Sequence, residues 1–291
     1  MPVSTSVVAL SNFWMVASGM TRDVPRGRFH RSRLIRVLED MALADLAESR
    51  QSLGDRLGQW LDFKDAISLY SVLHGGSSEG MDRSGQGMDV AGLRAEFDRV
   101  RASLMDAIRS DKQIDPSMVA ASAHFSTESA VEFIPYHRSY LAHQRSMQTA
   151  AANLRTQVRM AASTCSPALR RLAALDGELE RALGVRERGL LAALPMFLGK
   201  RFETLLTQAM EGGDDPAPGV WLAAFCRDVQ TVLFAELDLR LQPALGLLEA
   251  LDKEGTGQRW RTACIGGGSS WDWWSSPGGR WAMSWAARWR C

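Results

Sequence analysis

The chain has 291 residues, enough for one large or two modest domains, and its 46% hydrophobic content is ordinary for a protein that buries a core. Lys and Arg total 34 against 33 Asp and Glu, a net charge of +1 that gives no support to a globally basic binder of nucleic acid or anionic membrane. The four cysteines stand far apart with no CxxC or CxxH pair, which argues against a zinc module or disulfide scaffold and fits a reducing cytoplasm.

The N-terminal stretch MPVSTSVVALSNFWMVASGM lacks the basic region of a secretory signal, and Ser11 and Asn12 interrupt its apolar run. Residues 1–28 are therefore expected to be a disordered leader or to include a mis-called start, with true translation beginning at Met20. No 18-residue apolar run follows, so no transmembrane helix is expected. From about Phe29 to His74, Leu34, Ile35, Leu38, Met41 and Leu46 recur at helical spacing, as do Leu53, Leu57 and Trp60 or Leu61 after Ser49. A third helix begins near Asp62 and ends at Gly75, a residue suited to a left-handed cap, so 29–74 reads as a small bundle of short helices.

Residues 75–90 have the Gly/Ser composition of a flexible linker. Beyond it, 91–254 reads as a long-helix bundle. Leu93, Phe97, Val100, Leu104 and Ile108 draw one apolar stripe on a helix of about five turns. Residues 111–134 hold no firm period and read as a loop with room for short structure. Pro135 then suits a helix start, and Tyr140, Met147, Leu154 and Ala161 recur every seven residues, with Ala151 and Val158 in an adjoining row, as in a coiled-coil or bundle seam. Ser166 followed by Pro167 is a cap and first-turn pair opening a helix with Leu169, Leu172, Leu175, Leu179 and Leu183 on one stripe. Gly184 and Pro195 are expected to bend or break it, the pattern resuming to Met210, and EGGDDPAPG at 211–219 is a strong break. A last helix carries Leu222, Phe225, Val229, Val232, Leu233 and Leu237 past a bend near Pro243 to Leu251. With no alternating strand pattern, the expected fold class is all-α, with long antiparallel hairpins in the second half.

Chemistry-bearing clusters are sparse. His137, Tyr140, His143 and Gln144 lie within two turns, but His137 and His143 are six residues apart, about 240° around a helix, and do not grip one metal as an i, i+4 pair does. Tyr140 is expected in the core with the two histidines at its edges. GSSEGMDRSGQG follows a helix and lacks the Lys-Ser/Thr of a phosphate loop, and no serine sits in a recognisable nucleophile elbow. Glu39 with Asp40, and Glu236 with Asp238, read as solvated helix faces or as dipole and ion-pair partners. No metal, cofactor or catalytic residue is assigned. The stretch AELDLRLQPALGLLEAL spreads Leu237, Leu239, Leu241, Leu245, Leu247, Leu248 and Leu251 around much of a helix, which is either central to its own bundle or buried against another chain.

The stretches ESRQSLGDRLGQWLDFKDAISL (48–69), YHRSYLAHQRSM (136–147), SPALRRLAALDGELERALGVRERGLL (166–191) and AELDLRLQPALGLLEAL (235–251) resemble, in the same order, a bacterial family known only as a domain of unknown function. The resemblance spans about residues 29–251 and brings no active site, cofactor or substrate. It implies genes neighbouring those of an outer-membrane-protein-A-like envelope protein and a membrane protein resembling proton-channel motor subunits. A cytoplasmic accessory of an envelope assembly is the corresponding expectation. The pattern is departed from before about Thr21 and after about Glu254.

The leading expectation is a non-enzymatic, cytoplasmic helical scaffold or adaptor that binds another protein or itself. Its possible interaction residues are Tyr140, Met147 and Leu154 on the heptad seam and Leu237, Leu241, Leu245 and Leu248 on the leucine helix. The alternatives are a small-molecule-processing enzyme built around His137, His143 and Arg145, or a membrane-surface protein anchored by its tail. Nucleic-acid binding is not expected, because arginines interleave with acids throughout 1–254.

The tail itself, residues 255–291, holds seven of the ten tryptophans, seven glycines and no Leu, Val, Phe or Glu, and its five Arg against one Asp leave 1–254 at net −3 by difference. Trp281, Trp285 and Trp289 share a helical face, as a membrane-interface anchor requires, but Trp271, Trp273 and Trp274 stand among glycines and before Pro277. Trp, Gly and Arg share G-rich codons. A frameshift or sequencing error near Glu254, leaving a disordered tail, is the simplest account. Membrane contact is expected only if the tail is genuine.

Overall fold

The computed structural model describes residues 32–41, 58–74, 89–123, 132–211 and 218–265. The leader, the helical pattern at Leu46–Leu57, the Gly/Ser linker up to residue 88 and the tail beyond Ile265 lie outside the described residues. Among those described there is no strand, and the fold is all-α. The helices are α1 (Arg33–Asp40), α2 (Phe63–His74), α3 (Val90–Arg109), α4 (Pro116–Ala123), α5 (Ile134–Ser163), α6 (Pro167–Leu191), α7 (Leu194–Glu211) and α8 (Pro218–Ile265).

Short polar side chains start these helices by satisfying amide groups that the first turn leaves open. Ser32 Oγ accepts from the Ile35 amide at 3.4 Å, Asp62 Oδ1 from the Asp65 amide at 2.7 Å, Asp89 Oδ1 from the Gly92 amide at 2.8 Å and Ser166 Oγ from the Leu169 amide at 3.3 Å. Pro135 and Pro167 occupy first-turn positions, where the missing N–H costs nothing. The start near Asp62 and the Ser166–Pro167 pair are therefore as the sequence predicts.

Helices α5 and α6 form an antiparallel hairpin that reverses through Thr164–Ser166. Two contacts step in opposite senses along the two helices: Gln144 donates to the Leu191 carbonyl at 3.1 Å, and further along α5 Arg155 donates to Asp176, nearer the start of α6, at 2.7 Å. Helix α2 packs on α6, where Arg181 pairs with Asp65 at 3.1 Å and the Arg186 guanidinium stacks on Trp60 at 5.8 Å. Helices α1 and α3 converge on α8 through Asp238, which pairs with Arg33 at 2.7 Å and Arg101 at 3.1 Å. Asp238 is thus the ion-pair partner that the sequence indicates.

The core runs along α8. From Val232 to Leu248 its buried residues lie on every side of the helix, including Leu237, Leu239, Leu241 and Ala244. Burial all round is what an apolar circumference requires. One end of the bundle is closed by aromatic rings: Phe202 meets Phe225 edge-on at 5.1 Å and Trp221 at 5.4 Å, and Tyr136 meets Phe225 at 5.5 Å. Gly199 admits Phe133 to this cluster, since a Cβ there would lie 3.3 Å from the Phe133 ring.

Two boundaries differ from the sequence reading and two are sharpened. Residues 116–123, within the stretch expected to be a loop with room for short structure, form α4, opened by Asp115, whose carboxylate accepts from Ser117 N at 2.9 Å. Gly184 does not break α6, which runs on to Leu191, and this glycine is buried. The break expected at Pro195 falls at Ala192–Ala193, and Pro195 itself sits in the first turn of α7. Helix α8 continues through Pro243 to Ile265, beyond the expected end at Leu251. Pro243 removes one donor, the one that would reach the carbonyl of Leu239, and its neighbours on both sides keep the helical register. The chain divides into two compact units at Leu251–Asp252; the described part of the second is the helical stretch Asp252–Ile265.

Candidate functional site

Two features stand apart from ordinary core packing. One is a buried ladder of charges between α5, α6 and α8. The other is an exposed apolar face on α2.

Glu236 lies in the middle of α8 with no solvent exposure. Its sequence reading as a solvated face is corrected, while its role as an ion-pair partner stands. The flanking Phe234, Ala235 and Leu237 belong to the core or pack against it, so a helix buried on all sides carries its carboxylate inward. That carboxylate is saturated. Tyr140 Oη donates to Oε2 at 2.6 Å, Gln144 Nε2 donates to Oε1 at 3.0 Å, and Arg240, one turn on, donates to Oε1 through Nε at 2.8 Å and Nη2 at 2.7 Å. A buried charge is tolerated when it is both paired and hydrogen-bonded, and Glu236 meets both conditions. Burial, then the Glu236 charge, holds the Tyr140 phenol well above its ordinary range, so it stays a neutral donor.

A second cluster lies further along the hairpin. Arg155 grips Asp176 through Nε at 3.0 Å and Nη2 at 2.7 Å and approaches Glu180 at 3.7 Å, while Arg159 reaches both acids. Gly177 leaves the room: a Cβ there would lie 3.3 Å from Arg159 Nη1. Glu187 stands between the clusters, within electrostatic reach of Arg240 and Arg155. Three carboxylates, Glu236, Asp176 and Glu180, thus face three guanidiniums, Arg240, Arg155 and Arg159. Glu187 adds a fourth carboxyl, pushed above the usual range by burial, with Arg240, Arg155 and Arg188 opposing and Glu180 reinforcing. No cradle for a substrate is formed by these groups, because each acid but Glu187 is engaged by an arginine. The chemistry they supply is directional pairing, which fixes the register of three helices.

The histidines are separated by the fold. His143 Nε2 lies 2.9 Å from Asp111 Oδ2, and Ser139 Oγ donates to that same oxygen. Ser, His and Asp are therefore close, but both Ser139 and His143 address the carboxylate and no bond joins serine to histidine, so no nucleophile–base pair exists. Burial raises the Asp111 carboxyl, and hydrogen bonds from Ser139, the Gln113 amide and His143 outweigh it, leaving the group below its ordinary value. This arrangement ties the α3–α4 connection to α5. His137 instead tilts against Phe133 at 5.6 Å, and Arg145 is exposed. The structure does not gather His137, His143 and Arg145 in one place. Among the described residues, no group of three His, Cys, Asp or Glu side chains is placed to hold a metal. Burial pushes the Cys226 thiol up to about 12, leaving it a small apolar filler.

The seven possible interaction residues sit within the chain's own interior. Tyr140, Met147, Leu154, Leu237, Leu241 and Leu248 are buried in the core, and Leu245 is partly buried against it. A heptad seam and a many-sided leucine helix look alike whether the partner is another chain or another helix of the same chain. Here α5, α6 and α8 supply it.

The exposed counterpart lies on α2, which sequence reading passed over. Its Asp65 and Leu69 are buried, while Phe63, Ile67, Tyr70 and Leu73 are 83, 53, 63 and 42% exposed. Phe63, Ile67 and Tyr70 step by four and three, one stripe along the helix. Tyr70 is held in place by His74, whose ring stacks on it at 4.0 Å. The signal was present in the sequence as a second apolar row on a 12-residue helix, beside the row through Leu69. The other large apolar side chains exposed among the described residues are scattered singly over the remaining helices.

A family model described as a protein of unknown function (DUF3348) matches residues 20–253. Comparison with curated proteins and with solved structures yields no match. The matched segment contains every helix from α1 to α7 and most of α8. No described helix is long and apolar enough to cross a membrane.

Proposed function

The chain belongs to the DUF3348 family, and we propose that it acts as a non-enzymatic, cytoplasmic adaptor that binds a protein through the exposed face of α2. The observation that carries this reading is the contiguous stripe of Phe63, Ile67, Tyr70 and Leu73 left in solvent on a helix whose other side is anchored. The largest apolar patch on a folded surface is often a functional contact. The saturation of the interior charges supports the same reading, because groups engaged in register-fixing pairs are not free to act on a substrate.

An enzyme reading would need His143 and Asp111 to work with a third group, and Ser139 bonds the carboxylate instead. The gene neighbourhood implied by the family resemblance makes an envelope protein the first partner to try. The test is a binding titration of the purified full chain against the proteins encoded beside it, followed by isothermal calorimetry. Saturable binding that the Phe63→Ser, Tyr70→Ser variant loses is the expected result. Binding that the variant retains would remove α2 from the contact, and turnover of a small molecule dependent on His143 would overturn the adaptor reading.

A further inference from the structure

We infer that the α2 face also joins two copies of this chain, α2 against α2 in antiparallel register about a two-fold axis. The inference rests on the reading of that face as a protein-binding surface and names its occupant as a second copy.

The first argument is area. With fully extended side chains of about 150–250 Å² for residues of this size, the exposures of Phe63, Ile67, Tyr70 and Leu73 leave on the order of 400–500 Å² of apolar surface. A small one-sided ligand covering that patch would gain little. A two-fold contact doubles it to about 800–1,000 Å², at or just under the lower bound of a specific interface, and places the pair among weak, reversible dimers.

The second argument is charge. The exposed face carries one formal charge along its length, Lys64 in the first turn, and ends at His74, whose Nδ1 lies 3.2 Å from the Tyr70 carbonyl oxygen. Antiparallel pairing sets Lys64 of one copy over the carbonyl end of the partner's helix, where a cation is favoured, and opposes the two helix dipoles. Parallel pairing would set Lys64 against Lys64. The stripe is also close to symmetric about its middle, with Ile67 and Tyr70 inside and Phe63 and Leu73 outside, so each apolar side chain meets another in the antiparallel arrangement. Tyr70 is already held by its stack on His74, so little side-chain freedom remains to be lost on pairing.

Sedimentation of the full-length chain over about 1–200 µM tests this, a range bracketing weak association. The expected result is a reversible monomer–dimer equilibrium. Ile67→Glu and, separately, Tyr70→Glu should weaken it by about tenfold or more by setting like charges across the axis, and both positions are exposed, so helicity by circular dichroism should stay as in the parent chain. Lys64→Glu should weaken it in a salt-dependent way, as a charge at a carbonyl end is screened. A chain monomeric at every concentration overturns the inference, as does a dimer that survives both glutamate substitutions. The adaptor reading fails separately. A monomeric chain whose α2 variants lose a different protein partner keeps that reading and sinks this one, whereas a dimer abolished by Ile67→Glu with partner binding retained supports pairing and moves the adaptor contact elsewhere.

Discussion

Replacing Glu236 with alanine should be among the most damaging single changes in this protein. The carboxylate is fully buried and serves three donors, so its removal strands each of them. Arg240, itself buried, would lose its bonded partner and keep only the more distant Glu187 charge, a loss of up to about 3–5 kcal/mol. The Tyr140 hydroxyl would lose its acceptor, while Gln144 would keep the Leu191 carbonyl, so the total should still fall within that range. Against a total stability of about 5–15 kcal/mol, this is a large share. Glu236→Gln keeps the shape and one acceptor oxygen and should cost about 1–3 kcal/mol. The discriminating variant is the double change Glu236→Ala, Arg240→Ala, which removes both charges and should cost less than the sum of the singles by about 2–3 kcal/mol. Urea denaturation followed by circular dichroism measures these three variants and the Arg240→Ala single, with an unchanged denaturant slope confirming a common unfolded state. A single-variant cost below about 1 kcal/mol would refute the view that Glu236 locks α5 to α8, and strict additivity in the double variant would refute its coupling to Arg240.

Glu187 should behave in the opposite way. Its folded-state affinity for the proton is raised above the usual Glu value by burial, so the native state holds the proton more tightly than the unfolded chain and stability falls as pH rises through and beyond about 4.5. Glu187→Gln, which mimics the protonated form amid Arg240, Arg155, Arg188 and Glu180, should therefore match the parent at low pH and melt higher than it at neutral pH; a lower melting temperature at pH 7 would count against this. Asp111 has the reverse sign: its lowered value means that its contribution is present above the ordinary Asp range near 3.8 and is lost as pH falls through the folded value. Asp111→Asn should accordingly destabilise the chain at neutral pH and differ little from it at strongly acidic pH in melting experiments. Ser166→Ala should cost about 1 kcal/mol by removing the cap on the Leu169 amide, measurable as a shift in the urea midpoint. Gly199→Ala should lower stability by crowding the Phe133 ring, which is packed among Phe202 and Phe225, and Phe133→Leu in the same chain should recover part of the loss.

What the amino-acid order settled by itself was local. The all-α class, the helix start at Asp62, the Ser166–Pro167 cap and the hairpin between α5 and α6 follow from periodicity and capping, which act within a few residues. The family resemblance over about 29–251 agrees with the matched segment 20–253. Tertiary structure decided the remainder. Gly184 reads as a break in isolation, yet packing carries α6 through it. The row of Phe63, Ile67 and Tyr70 drew no notice in the sequence, because α2 has two apolar rows and only the arrangement of the helices shows that one of them stays exposed. Glu236 reads as a surface acid, yet its helix is surrounded on every side, and Tyr140, Gln144 and Arg240 make its burial tolerable. The heptad seam from Tyr140 to Ala161 announces that it must be covered without saying by what. Periodicity records which faces a helix must hide; only the spatial arrangement of all the helices determines which neighbour hides each face, and which face is left in water.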